Sequence, residues 1–147
     1  PQDTADSFTP DGYFKTGDLG IIKKHRYLYI KGRIKNVIVA ASGENIYPEE
    51  IEARINEHET VLESMVYESG GQIVARVFLN YEILDKTHNF TKISVVQAEK
   101  LLEKLLEEIR SQVNAKGASF SRIHKMIEQK EPFEKTPTQK IKRFLYQ

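Results

Sequence analysis

Over residues 94–117 the chain carries one long apolar stripe. Val95, Ala98, Leu102, Leu105, Ile109 and Val113 recur at three- and four-residue spacing. No other feature restricts the fold as strongly, because a helix with a single apolar face is stable only when another surface covers it. Ser94, with Gln97 three residues on, makes a capping-box start, and Gly117 supplies the stop. The spacing predicts about five turns of helix, or an interface helix of the same length.

The covering surface is sought among short β-rich runs. Met65-Val66-Tyr67 and residues 73–79 read as strands, and Ser69-Gly70-Gly71 between them is a hairpin signal. Residues 37–40 read as a short buried strand, Ser42-Gly43-Glu44-Asn45 as a loop, and 123–129 as a further strand. Pro48 suits the first position of a second helix, where its missing N–H is harmless. Glu49 and Glu50 complement the positive end of that helix, and Ile51 and Ile55 share one face. Residues 87–92 read as a polar connector. The predicted fold class is therefore α+β: a small mixed or antiparallel sheet packed with helices.

The ends are less regular. Residues 1–10 are polar and turn-like, and 14–17 read as a short strand entering a turn. In LGIIKKHRYLYIKG, two β-rich runs flank the basic KKHR, which predicts a hairpin with a charged tip. A lone hairpin buries too little apolar surface to fold alone, so residues 1–34 read as an appendage. The last stretch, PFEKTPTQKIKRFLYQ, is basic and punctuated by proline, with one short terminal helix expected.

Composition removes several function classes. Apolar residues at 39% and charged residues at 29% fit a globular chain rather than a disordered one. A net charge of +1 supplies no global field for nucleic acid or membrane. Without cysteine there is no disulfide scaffold, thiolate metal site or cysteine nucleophile. No apolar run reaches the ~20 residues that span a bilayer, and PQDTADSFTP lacks the basic and apolar regions of a signal peptide. His25, His58, His88 and His124 are scattered, without metal-ligand spacing. No metal site is expected.

A few residues can carry chemistry. Asp18, in a tight TGD turn, offers an acceptor-only carboxylate that suits a diol such as a ribose; the plainer alternative is an Asp closing its own turn. Arg33, between Gly32 and a strand, can hold a ribose or phosphate oxygen, or be a solvated member of a patch with Lys31 and Lys35. At Ser42-Gly43 the missing Cβ lets a ligand approach the backbone, or simply makes a strand-to-helix turn. Lys140 follows the stiff Thr136-Pro137-Thr138 turn and can present an ammonium to an anion, or belong to a basic tail. That tail is weak as a patch, with five basic residues against two acidic ones over 130–147.

Taken together, the order DGYFKTGDLG, then GRIKNVIVAASGENIYPEEIE, then PTQKIKR resembles the adenylate-forming superfamily of acyl-CoA synthetases, peptide-synthetase adenylation domains and luciferases. The motifs cover residues 11–52 and 132–144. EEIRSQVN and PFEKTPTQKIKRFLY are similar to the tail of bacterial long-chain fatty acyl-CoA synthetases. The resemblance implies that residues 1–35 are the end of a large N-terminal domain, including a leftover β-hairpin and the hinge, and that 36–147 are the C-terminal lid. The TGD turn would then stand near the start because the chain is a fragment, inactive by itself.

What the resemblance implies for function is specific. The parent enzyme would activate a long-chain fatty acid with ATP, through an acyl-adenylate, and pass it to CoA, with Mg²⁺ held by residues upstream. Asp18 and Arg33 match the ribose-binding residues, Lys35 the hinge about which the lid rotates, and Lys140 the lysine of the adenylation half-reaction. Ser42 and Gly43 match the loop that enters the site for thioester formation beside the pantetheine tunnel. Three positions depart from the common pattern: Gln139 where Gly is frequent, Glu134 where Pro is frequent, and Asn36 where Asp is commoner. Expected partners are the fatty acid, ATP, CoA and the N-terminal domain, with no nucleic acid. The cytoplasm is the expected location, with peripheral membrane contact left open. Two other functions compete: a lid that loads an acyl group on a carrier protein, and a stand-alone binding module using the basic tail.

Overall fold

The computed structural model describes residues 1–24 and 26–147; His25, in the KKHR tip, lies outside the described residues. The elements run in chain order as α1 (Gln2–Asp6), β1 (Asp18–Lys23), β2 (Tyr27–Arg33), β3 (Ile38–Val39), β4 (Asn45–Ile46), α2 (Pro48–Ile55), β5 (Val61–Ser69), β6 (Gln72–Leu79), α3 (Tyr81–His88), α4 (Val95–Lys116) and β7 (Ile123–Glu128). The fold is α+β. Its centre is a three-stranded sheet in the order β5-β6-β7. β5 and β6 pair antiparallel across a turn in which Gly70 and Gly71 both take positive φ, while β6 and β7 pair parallel. The sheet is mixed, one of the two arrangements the sequence leaves open.

Strand periodicity gives the sheet two buried faces. On one side Val66 of β5 and Ile73, Ala75, Val77 and Leu79 of β6 join Ile51 and Ile55 of α2 and Leu106, Ile109 and Val113 of α4. On the other, Met65, Tyr67 and Val74 pack with Phe133, Ile141 and Tyr146 of the C-terminal segment. The sequence reading assigned helices to the sheet but no cover to this second face. The proline-punctuated tail covers it, ending in a single 3-10 turn over Arg143–Leu145.

The long helix starts where expected. Ser94 accepts from the Gln97 N–H at 3.2 Å, and the Gln97 side chain returns to the Ser94 N–H at 3.1 Å. Ser94→Ala is expected to cost about 1 kcal/mol, seen as a lower urea midpoint with an unchanged slope. An unchanged midpoint would mean that this first turn is already frayed. The stripe is buried only over its C-terminal half: Val95 is 74% exposed. Gly117 closes the helix in an extended conformation (φ −97°), not the left-handed one typical of a glycine stop.

Four local expectations are corrected. Residues 1–10 include the helix α1, closed by the Ser7 N–H to the Thr4 carbonyl. The strand expected over 14–17 shrinks to one bridge between Phe8 and Phe14, whose rings meet edge to face, and pairing proper starts at Asp18. The strand at 37–40 is not buried; Val39 is 68% exposed, because β3 pairs only with β4 and stands outside the central sheet. The polar connector at 87–92 contains the end of α3 and a 3-10 turn, Phe90–Lys92. Asn80 caps α3 through the Ile83 N–H, and Leu84 is its one buried residue. Such a short helix holds by packing rather than by pattern.

Candidate functional site

β1 and β2 form the hairpin read from the sequence, and their register sets Asp18 opposite Arg33. The Arg33 Nε lies 3.0 Å from Asp18 Oδ1, and its Nη1 donates to the Thr16 carbonyl at 3.0 Å. Gly17 sits at φ +74° between them, so the TGD turn wraps around the guanidinium. Both side chains remain partly open to solvent, a carboxylate and a guanidinium braced by each other and facing outward. Most other large apolar side chains of the hairpin, among them Ile22, Leu28 and Ile30, are exposed.

Lys35 lies in the 3-10 turn Ile34–Asn36 that leads out of the hairpin. This junction is clasped by the start of α2. Glu49 Oε1 accepts from Asn36 Nδ2 at 2.5 Å and from the Arg33 N–H at 3.3 Å, and Lys31 pairs with Glu50 at 2.6 Å. Gly32 makes room for the clasp: a Cβ there would stand 2.5 Å from Glu49 Oε2. From the sequence alone, Glu49 and Glu50 read only as helix-dipole residues; their partners on β2 were not legible.

Lys140 stands on a small hairpin of its own. Lys135 bridges Ile141, the Thr136 N–H donates to the Lys140 carbonyl at 2.8 Å, and the Lys140 N–H donates to Thr136 Oγ1 at 3.2 Å. The Gln139 N–H closes the turn on the Thr136 carbonyl at 2.9 Å. Gln139 itself sits at φ +61°, the left-handed region, which costs a residue with a Cβ about 1–2 kcal/mol. Here the departure from the frequent Gly has a physical meaning: the turn keeps a shape that glycine adopts without strain.

Asp18, Arg33, Lys35, Thr136, Lys140 and Arg143 line one cleft of about 880 Å³. Basic side chains on its wall outnumber acidic ones two to one, which suits a polyanion. Ser42 and Gly43 do not line it. They form the tip of the β3–β4 turn, where the Ala40 N–H meets the Glu44 carbonyl, Ser42 Oγ bonds Glu44, and Gly43 takes φ +92°. A Cβ on Gly43 would meet nothing within 4 Å. The structure thus gathers four of the six candidate residues and leaves the other pair on a separate, open tip. Among the described residues, no cluster of three or more His, Cys, Asp or Glu can hold a metal ion, and no helix is long and apolar enough to cross a membrane.

Comparison with known proteins shows the family and the fold. The family described as AMP-binding enzyme C-terminal domain matches residues 35–146. A 2-methylpropanoate–CoA ligase, CCL4, of Humulus lupulus is 33% identical over 147 residues, covering 99% of this chain and 24% of that protein. The long-chain-fatty-acid–CoA ligase FadD13 of Mycobacterium tuberculosis is 51% identical over 55 residues, covering 37% of this chain and 10% of its own. The solved adenylation domain of a carboxylate reductase from Mycobacterium chelonae superposes with a TM-score of 0.81 at 25% identity, covering 99% of this chain and 23% of that one. The chain therefore spans about a quarter or less of the length of the relatives it matches.

Proposed function

The chain belongs to the family of AMP-binding enzyme C-terminal domains, the lids of adenylate-forming enzymes, and from that premise we propose that it works within a longer ATP-dependent acyl-CoA ligase that activates a fatty acid, long-chain by preference. One observation carries the reading: Asp18, Arg33 and Lys140, far apart in sequence, share one basic cleft.

The chemistry follows from charge. A carboxylate must attack the α-phosphorus of ATP, forming one P–O bond while the bond to pyrophosphate breaks. Both reactants are anions and repel. In this reading Asp18 accepts from the ribose hydroxyls, Arg33 braces Asp18 and reaches the same ribose, and the Lys140 ammonium neutralises charge that builds as the bond forms. Mg²⁺ would accompany ATP, but among the described residues no cluster offers to hold it, so it is given no step in this chain's chemistry. In the second half the CoA thiol attacks the acyl carbon and AMP leaves. Residues 1–35 would stay with the N-terminal domain while 36–147 turn about Lys35, exchanging the Lys140 face for the Ser42-Gly43 tip.

The openness around Gly43 supports that exchange. Gly43→Leu is expected to leave adenylation unchanged and to slow thioester formation by about 10²-fold, because a side chain would displace the thiol from attack distance. Normal CoA transfer by this variant would remove the tip from the mechanism. The substrate is tested by offering the full-length enzyme acids from acetate to palmitate with ATP, Mg²⁺ and CoA. Thioester formed only with long-chain acids supports the fatty acyl-CoA ligase. AMP without thioester would move the acceptor to a carrier protein.

A further inference from the structure

On the wall of the cleft lies a polar contact that the reaction above does not use. Glu52, on α2, is 9% exposed. Both its oxygens accept from Arg143 Nη2 at 2.7 Å. The Val66 N–H donates to Glu52 Oε1 at 2.7 Å, and Arg143 Nη1 donates to the Val66 carbonyl at 3.0 Å. Val66 lies on β5, an edge strand of the central sheet. Its outward N–H and C=O, which would otherwise be unpaired, are taken up by one carboxylate and one guanidinium. Burial pushes the Glu52 carboxyl up, and the Arg143 guanidinium and Val66 N–H pull it back.

This contact joins three parts of the chain: α2, the sheet edge and the C-terminal segment. Arg143 follows Lys140 by three residues. The Lys142 N–H donates to the Glu134 carbonyl at 2.9 Å, so the return limb of the lysine hairpin runs directly into the tie. The outgoing limb is held separately, by buried Phe133 and by the Lys135–Glu63 pair. The return limb is fixed against the fold by Ile141 and Arg143, with Tyr146 packed beyond them.

We propose that Arg143, locked to Glu52 and Val66, is a positioning residue that sets where the Lys140 ammonium stands during adenylation. The proposal rests on the adenylating role of Lys140 given above. It predicts an effect on one half-reaction only, because the Ser42-Gly43 tip takes no part in the tie.

The test uses the full-length enzyme and two assays: acid-dependent exchange of pyrophosphate into ATP, and thioester formation from supplied acyl-adenylate. Arg143→Met should lower the exchange kcat by about 10–100-fold, since a shift near 1 Å has effects of this size. KM for ATP should hold, because Asp18 and Arg33 are untouched, and the thioester half should be normal. Arg143→Lys keeps a cation beside Glu52, which secures a folded variant, and should recover part of the lost rate. In a Lys140→Ala background, Arg143→Met should add less than about 2-fold, as expected of residues acting through one group. Equal loss in both half-reactions would make Arg143 a general stabiliser and overturn the proposal. Normal exchange in Arg143→Met beside a dead Lys140→Ala would overturn it while leaving the adenylation reading intact. Normal exchange in Lys140→Ala would remove that reading, and this proposal with it.

Discussion

Lys140→Ala in the full-length enzyme is expected to slow acyl-adenylate formation by about 10²–10³-fold, the usual cost of losing one preorganised charge-stabilising group. The size of the effect comes from geometry as well as charge. Lys140 is set on a closed hairpin, with the Thr136 N–H on its carbonyl and Thr136 Oγ1 on its N–H. Its backbone is therefore in place before substrate arrives, and little ordering remains for the reaction to supply. Lys140 lines the same basic cleft as Asp18 and Arg33, the two residues assigned to the ribose, whose 5′ oxygen carries the α-phosphate. Thioester formation from supplied acyl-adenylate should be nearly unaffected, since the phosphoryl step is already complete. Equal loss of both half-reactions would contradict the assignment of Lys140 to adenylation.

Phe133→Ala is expected to destabilise the fold by about 3–5 kcal/mol, read as a lower urea midpoint. Phe133 is 4% exposed and stands on the sheet face opposite the helices, against Met65, Tyr67 and Val74. The Tyr146 ring meets it edge to face, with centroids 5.0 Å apart. Tyr146 also accepts from the Glu134 N–H through its hydroxyl at 2.7 Å, and its carbonyl accepts from Arg76 Nε at 3.2 Å. Removing the ring would leave a cavity under the segment that carries Lys140 and loosen the outgoing limb of the Lys140 hairpin. A loss below about 1 kcal/mol would mean that the tail does not depend on this face for its place.

The parts of the fold that were legible in the sequence are those governed by near neighbours. Ser94 and Gln97 mark the start of α4, Pro48 the start of α2, and Gly70-Gly71 the central hairpin, each through contacts within a few residues. The second sheet face was not legible, because Phe133, Ile141 and Tyr146 follow no helical or strand period in a stretch that reads as a basic tail. Helix α3 was missed because only Leu84 of its residues is buried, although Asn80 was there as a cap signal. Asp18, Arg33 and Lys140 were picked out by motif order, yet nothing local says that they share a cleft. Glu52 and Arg143 lie 91 residues apart, and their pairing is visible only once the chain is folded. Glu49 is similar: its dipole role is local, and its grip on Arg33 and Asn36 is not.

The most direct test of the adenylating lid is exchange of labelled pyrophosphate into ATP by the full-length enzyme, with and without a fatty acid and without CoA. Acid-dependent labelling of ATP, lost in Lys140→Ala and retained in Gly43→Leu, is the expected result. ATP that stays unlabelled with every acid offered, while the protein still binds the nucleotide, would contradict adenylate formation as the work of this cleft.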